Sequence, residues 1–408
     1  MYFAFAWAIL AVLMSPMLST RPSGPHAVTV AAHSLPFTPQ FMSMHTLSPS
    51  RDWPSVPVGA MRPAGITWAT IEPSRDVFNW QGVDSWVAQS QAHHAQLDYL
   101  FLNTPQWAST RPNEKCNRGY NGCAAPPNDK DWTQFVTALV KRYKGRIATY
   151  EMWNEPGSIG YFTGSPADLA HLVSLAYPII KSIDPQAIVI SPSPSTTGWP
   201  IQFGPWMDKF LKAGGGKYVD VIAWHSYASY TNKPAAPPER VASEIETLRA
   251  LMAKYGVSDL PLWDTEGSWG TNTSLPDPQQ QADWLVRWYL IQFSYGVARV
   301  YWYQWDNPKV GTLWTATNGL TPAGQAFVEL HHLLDGATGS TPCVPASGSI
   351  WTCDLFKGST KIRAVWSTSG PASFSNYAGF SEYTDLAGTA HQVHGQPVTV
   401  DSTPLFFQ

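Results

Sequence analysis

The stretch Tyr150-Glu151-Met152-Trp153-Asn154-Glu155-Pro156 decides how the rest of the chain is read. Apolar and β-prone residues run into an Asn-Glu pair and the proline ends the strand, so a carboxyl group stands at the strand's carboxyl end. That is where a parallel α/β barrel carries its reactive groups. One carboxyl cannot both deliver a proton and attack or activate water, so the arrangement asks for a second strand-end acid. Pro261-Leu262-Trp263-Asp264-Thr265-Glu266-Gly267 supplies it, a short apolar run ending in Glu and a glycine.

With Trp153-Asn154-Glu155-Pro156 preceded by Tyr150-Glu151, and Thr265-Glu266-Gly267 downstream, the chain resembles the retaining clan A glycoside hydrolases, closest in motif to the family 39 and family 5 branches. The resemblance implies that the Glu after Asn at the end of strand 4 is the general acid/base and that the Glu at the end of strand 7 is the nucleophile. Those roles fall on Glu155 and Glu266. It further implies hydrolysis of a β-linked O-glycosidic bond by double displacement through a glycosyl-enzyme, with no metal and no organic cofactor. Two surface glutamates in unrelated loops are the plain alternative. At the level of function the alternatives are a transglycosylase sharing the intermediate and a non-catalytic carbohydrate-binding barrel.

A chain of 408 residues suits one large barrel of about 250–300 residues plus a smaller module. The expected fold class is therefore α/β, a (β/α)8 TIM barrel over 28–335 followed by a small antiparallel β-sandwich over 336–408. A net charge of −3 gives no reason to expect nucleic acid as a partner. Charged residues make up 13% while Trp, Tyr and Phe number 20, 17 and 17, a surplus of flat amphipathic rings over charge. Such rings suit the faces of a carbohydrate substrate, although core packing claims many of them equally well.

Residues 2–18 are almost wholly apolar, broken by Ser15 and Pro16, with Arg21 the first basic residue. This is read as a signal-like segment over 1–27 that directs export to a secreted or periplasmic location, a retained anchor being the alternative. Four cysteines in close pairs, Cys116 with Cys123 and Cys343 with Cys353, agree with an oxidising compartment. Their spacing fits no zinc site, and His93-His94 and His331-His332 are helix neighbours that do not face a common ion.

From residue 36 strand-like and helix-like runs alternate. Strands are expected over 41–46, ending near His45, and over 58–62, 97–103, 187–191, 219–224 and 298–303, in addition to the two carrying Glu155 and Glu266. Helices are expected over 83–96, 132–143 with Asp131 as N-cap, 166–183, 205–213, 238–255, 278–295 and 322–334. Gly214-Gly215-Gly216 is a stop signal and lacks the pattern of a phosphate cradle. His225 and Tyr227 lie two apart on strand 6 and so share a face toward the barrel mouth, although His225 alone would read as a core histidine. By the same rule Val300, Trp302 and Gln304 share a face on strand 8.

The resemblance assigns further site residues. Arg62 on strand 2 supports the nucleophile's charge, Asn154 holds the substrate 2-hydroxyl, and His225 with Tyr227 stands beside the nucleophile. Trp107, in Thr104-Pro105-Gln106-Trp107-Ala108, lines the sugar cleft, and Trp302 is the sugar platform with Trp305 in reserve. Asp385-Leu386-Ala387-Gly388 resembles a turn of the accessory β-domain of family 39, to which residues 28–38 would add a strand. Finally, strict alternation puts Glu151 beneath Glu155 and Asp264 beneath Glu266, a second acidic layer about 6.6 Å deeper with Arg62 as its cation and His225 as a second donor, the alternative being that one of the two acids faces a helix and is solvated.

Overall fold

The computed structural model describes residues 35–46, 53–198, 200–229 and 234–408. The signal-like segment therefore lies outside the described residues, as does most of the strand expected over 28–38. Eight parallel strands form the barrel: β1 (Met42–Thr46), β2 (Ala60–Pro63), β3 (Gln96–Leu100), β4 (Thr149–Glu151), β5 (Ile188–Ile190), β6 (Ile222–Tyr227), β7 (Leu262–Ser268) and β8 (Arg299–Trp302). They pair in the order β5-β4-β3-β2-β1-β8-β7-β6. A parallel bridge between Ile190 and Val221 joins the two ends and closes the ring.

Among the described residues eight α-helices accompany the strands: α1 (Trp68–Ile71), α2 (Gln81–Ala92), α3 (Asp129–Tyr143), α4 (Pro166–Ile183), α5 (Phe203–Lys212), α6 (Arg240–Lys254), α7 (Pro278–Ser294) and α8 (Pro322–Leu334). α4 starts where Ser165 and Asp168 form a reciprocal capping box and proline takes the first helical position. α3 begins earlier than expected. Asn128 is its N-cap, accepting from Asp131 N at 3.0 Å, while the Asp131 carboxylate is drawn off by Arg75.

The apolar core splits in two. Most of it lies between strands and helices, whereas Ala60, Ile190, Val221, Ala223, Trp263 and Tyr301 fill a small cluster inside the barrel. This division corrects the reading of β8. Tyr301 is the inward residue, so its neighbour Trp302 points outward by the two-residue period.

Beyond α8 the chain forms antiparallel sheets. The central hairpin Ile350–Lys357 with Thr360–Ser367 is joined by Leu405–Phe407 and by Glu382–Thr384, which pairs with Ala390–Gln392; Ala372–Phe374 pairs separately with Val398–Val400. Ile350, Val365, Phe374, Val400 and Phe407 make its core, and Asp385 closes the Asp-x-x-Gly turn by accepting from Thr389 N at 2.8 Å. The other face of this layer, with Leu355, Ile362, Ala364, Trp366 and Phe406, joins the apolar core of the barrel helices, and polar contacts add to it: Trp366 Nε1 donates to Glu239 at 2.8 Å, and Ser402 and Thr403 donate to Asp283. Residues 35–38 add no strand to it, and Phe37 N instead donates to Ala337 O. Both cysteine pairs are disulfide-bonded. Among the described residues no helix is long and apolar enough to cross a membrane.

Candidate active site

β4 pairs only as far as Glu151, and the chain continues past its end to Glu155 through a bridge between Asn154 and Ser193. Glu155 adopts φ +39°, in the left-handed region that a side chain disfavours. Two hydrogen bonds fix that conformation: Glu155 N donates to Ser193 O at 3.0 Å and Ser158 N to Glu155 O at 2.9 Å. Strained backbone held this way is characteristic of positions where a side chain must be aimed.

Glu266 arrives by a different device. Strand pairing shifts register between Asp264 and Gly267 on β7, and between Trp224 and His225 on β6. A bulge adds a residue and breaks strict alternation. Thr265 therefore reaches inward, its Oγ1 3.0 Å from Ser193 Oγ and 3.3 Å from Glu151 Oε1, and Glu266 also faces the mouth. Asp264 is left on the opposite face, bonded to Ser226, whose hydroxyl also accepts from Trp288 of α7 at 3.1 Å. The expected layer of Asp264 beneath Glu266 is thus not formed. Burial raises the Asp264 pKa to about 8 against the lowering effect of its Ser226 hydrogen bond.

Glu151 does occupy the inner layer, and it organises the site. Arg62 grips it with Nε at 2.6 Å and Nη2 at 2.9 Å, a two-pronged contact that fixes the guanidinium plane. The remaining donors are thereby aimed: Nη1 lies 2.7 Å from Glu266 Oε2 and Nη2 lies 3.0 Å from Asn154 Oδ1. Burial raises the Glu151 pKa, but the Arg62 charge, the Arg62 hydrogen bonds and the nearby His225 ring overcome it and hold the carboxyl at about 2. Arg62 itself, disfavoured as a cation by burial, is driven above its ordinary range by the charges of Glu151 and Glu266.

His225 and Tyr227 share the inward face, as alternation requires. Tyr227 Oη donates to Glu266 Oε1 at 2.5 Å, so both oxygens of that carboxylate accept hydrogen bonds. His225 Nδ1 lies 3.2 Å from Glu155 Oε1 and 3.9 Å from Glu266 Oε2, and Nε2 lies 3.6 Å from Glu151 Oε1. Burial alone would discharge the ring, but the Glu266 charge, the nearby Glu151 carboxylate and the hydrogen bond to Glu155 raise its pKa to about 9. His225 is therefore an imidazolium at neutral pH, set among three carboxylates. Glu155, His225 and Glu266 offer atoms all within 4.8 Å of one another, but a protonated His225 has no lone pair to give a metal ion. The two carboxyls are similarly exposed, 14% for the Glu155 side chain and 11% for that of Glu266, whereas His225 is fully buried.

The two tryptophans fare differently. Trp107 lines a cleft of about 710 Å³ on the β3 side of the mouth, its Nε1 tied to Glu72 O at 3.1 Å. Trp302 does not reach any cleft. It is fully buried, packed against Trp269, Trp284, Trp288 and Tyr289, with its Nε1 on Gly311 O. Trp305 is also buried, stacked on Trp314. The mouth position on this side belongs to Tyr303, whose ring lies 5.2 Å from His45 and 6.0 Å from Tyr227.

Sequence reasoning missed Tyr303, Tyr161 and His45. Burial is the largest influence raising the Tyr161 and Tyr303 hydroxyl pKa values, and the charges of Glu155 and Glu266 add to it, which places both phenols beside the pair. His45 is the penultimate residue of β1, and its Nε2 lies 3.2 Å from both Thr265 O and Arg62 Nη1. A neutral ring can donate to the first or accept from the second, and burial together with the Arg62 charge keeps this ring neutral. A histidine at a strand end was the available signal.

The glycosyl hydrolase catalytic core family model matches residues 120–327 of this chain. A beta-xylosidase of Geobacillus stearothermophilus is 24% identical over 220 residues, covering 47% of this chain and 43% of that protein, so the match spans less than half of the relative's length. Among solved structures, a family 39 glycoside hydrolase from Bacteroides cellulosilyticus superposes with a TM-score of 0.68 at 18% identity, covering 90% of this chain and 80% of the other. A monomeric beta-xylosidase from Caulobacter crescentus gives a TM-score of 0.64 at 15% identity over 92% and 97% of the two chains. At such identities the structural likeness establishes the fold, and the matched family span contains the strand ends bearing Glu155, His225, Tyr227 and Glu266. The resemblance read from the strand 4 and strand 7 motifs therefore holds, and the chain belongs to the glycosyl hydrolase catalytic core family.

Proposed function

We propose that the protein is a retaining glycosidase that hydrolyses β-linked O-glycosides by double displacement, with Glu266 as nucleophile and Glu155 as general acid/base. The observation that carries this reading is the spacing of the two strand-end carboxyls, whose facing atoms lie within 4.8 Å. Retaining enzymes hold the pair about 5–5.5 Å apart, and inverting enzymes need a wider gap for water. The different settings of the two acids support the division of roles. Glu266 is clamped on both oxygens, which suits an attacking group that must not rotate, whereas Glu155 sits on a strained turn beside His225.

In the first step Glu266 attacks the anomeric carbon while Glu155 gives its proton to the departing oxygen. The charge on Glu266 is consumed in the new ester, so Glu155 then loses a neighbouring negative charge and releases its proton more readily. It can therefore take the proton of water in the second step, and water displaces Glu266 with net retention. Asn154 Oδ1 is occupied by Arg62, which leaves its amide N–H groups to meet a substrate hydroxyl.

The relatives' names point to β-xylosides as the first substrates to try. The division into a catalytic barrel over 28–335 and an accessory sandwich over 336–408, and export to an oxidising compartment where the two disulfides persist, belong to the same proposal. Incubation with a panel of aryl β-glycosides, followed by NMR of the first-formed sugar, tests the reaction. A β-anomer appearing before mutarotation is expected, and an initial α-anomer from a β-substrate would overturn the assignment.

A further inference from the structure

The cleft beside Trp107 carries a charge pattern that cleavage of a plain neutral sugar does not require. Its lining includes Asn103, Trp107, Tyr120 and two arginines, Arg75 and Arg118, but no carboxylate, in a chain whose net charge is −3. Arg75 is neutralised by Asp131 and lies 4.9 Å over the Trp107 ring. Arg118 is exposed, on the loop closed by the Cys116–Cys123 disulfide, and stacks 3.8 Å over the Tyr161 ring. Tyr161 feels the charges of Glu155 and Glu266, so Arg118 joins the cleft lining to a ring beside the proposed catalytic pair.

Two polar groups of the lining lack partners. Asn103 is nearly fully buried at φ +59°, and its Nδ2 has no hydrogen-bond partner. The buried Tyr120 hydroxyl has none either. An unsatisfied buried donor costs about 1–3 kcal/mol, and both of these belong to residues lining one cleft that also holds a guanidinium, which favours a ligand able to supply acceptors. The volume of about 710 Å³ falls within the range of small-molecule sites.

We propose that this cleft is a sugar subsite for a residue bearing an anionic substituent, carboxylate or sulfate. Arg118 is its charge partner, Asn103 and Tyr120 donate to its oxygens, and Trp107 offers a ring face. A planar guanidinium can engage two oxygens of either anion at once. The proposal rests on the glycosidase reading and names the substrate class of that same site.

The test uses the full chain and β-linked oligosaccharides in three matched forms: neutral, with one residue oxidised at C6 to the uronate, and with one residue O-sulfated. At least tenfold higher kcat/KM on one anionic form than on the neutral form is expected, with the preferred form telling carboxylate from sulfate. Arg118→Gln should lower that preference at least tenfold and Arg118→Lys should restore part of it. Raising the salt concentration should shrink the preference in the wild type. Circular dichroism of both variants shows whether the loop change leaves the fold intact. Equal or faster cleavage of the neutral form, or a folded Arg118→Gln enzyme that keeps the anionic preference, would overturn the subsite while leaving the glycosidase reading in place. Failure to cleave all three forms and simple aryl β-glycosides as well would overturn the glycosidase reading and the subsite with it.

Discussion

Arg62 Nη1 lies 2.7 Å from Glu266 Oε2, and the opposite edge of the same guanidinium is locked to Glu151. The proposed nucleophile is thus positioned by a carboxylate it never touches. Replacing Arg62 by Lys keeps one positive charge but loses the fork, so Glu266 and Glu151 can no longer be held together. Arg62→Lys should lower kcat by roughly 10²-fold or more, the scale of removing one preorganised donor. Steady-state kinetics on an aryl β-glycoside would measure it. A wild-type kcat in the folded variant would mean that Arg62 serves stability alone.

His225 links pH to folding. Its ordinary value is 6.5 and its folded value about 9, so the folded state binds the extra proton between them. The resulting stabilisation is complete below about 6.5 and is lost as pH rises through about 9. Urea denaturation at pH 6 and pH 10 should show a fall for the wild type and a smaller fall for His225→Gln. Equal falls would mean that the ring is neutral in the folded protein.

Asp264 affects stability over a more acidic window. Its folded pKa is about 8 against an ordinary 3.8, so the unfolded chain ionises first and stability declines as pH rises across that interval. Asp264→Asn removes this contribution. The variant should gain stability relative to wild type as pH rises from 4 to 8, with the pH dependence of kcat/KM unchanged because the side chain faces α7. A displaced activity profile would restore a catalytic role for the residue.

The contrast between Asp264 and Glu151 shows what the sequence could reveal. Motifs at the ends of strands 4 and 7 announced the barrel and both proposed catalytic acids, and α4 and α8 fall where caps and prolines placed them. Alternation correctly paired His225 with Tyr227. It failed on β7, where the register shift turns Thr265 inward and Asp264 outward. On β8 the reading was off by one residue, so Trp302 was chosen in place of Tyr303. A bulge or a one-residue offset changes every side chain's face yet leaves composition and periodicity almost untouched. The Arg118 loop carried no periodic signal at all, and its place beside Tyr161 depends on chain folding between distant segments.

The Cys116–Cys123 bridge closes a loop with a sequence separation of 7, worth about 2–3 kcal/mol in a chain-entropy picture. Its larger effect should be on the cleft, because the same loop carries Arg118 and Tyr120. Cys116→Ser with Cys123→Ser should raise KM several-fold while kcat stays within about twofold, the pattern of lost binding common to ground and transition states. Non-reducing peptide mapping of the wild type should recover Cys116 linked to Cys123 and Cys343 linked to Cys353. An unchanged KM in the double variant would separate the loop from substrate binding.

The central claim, a covalent intermediate on Glu266, is tested most directly by trapping. A 2-deoxy-2-fluoro β-glycoside with a good leaving group should inactivate the enzyme, and peptide mass spectrometry should find one sugar on Glu266. Under the same conditions Glu155→Ala should give a β-glycosyl azide from an activated substrate and azide. A label on Asp264 or on Glu155, or turnover of the reagent's unfluorinated parent with inversion and no label, would contradict the account.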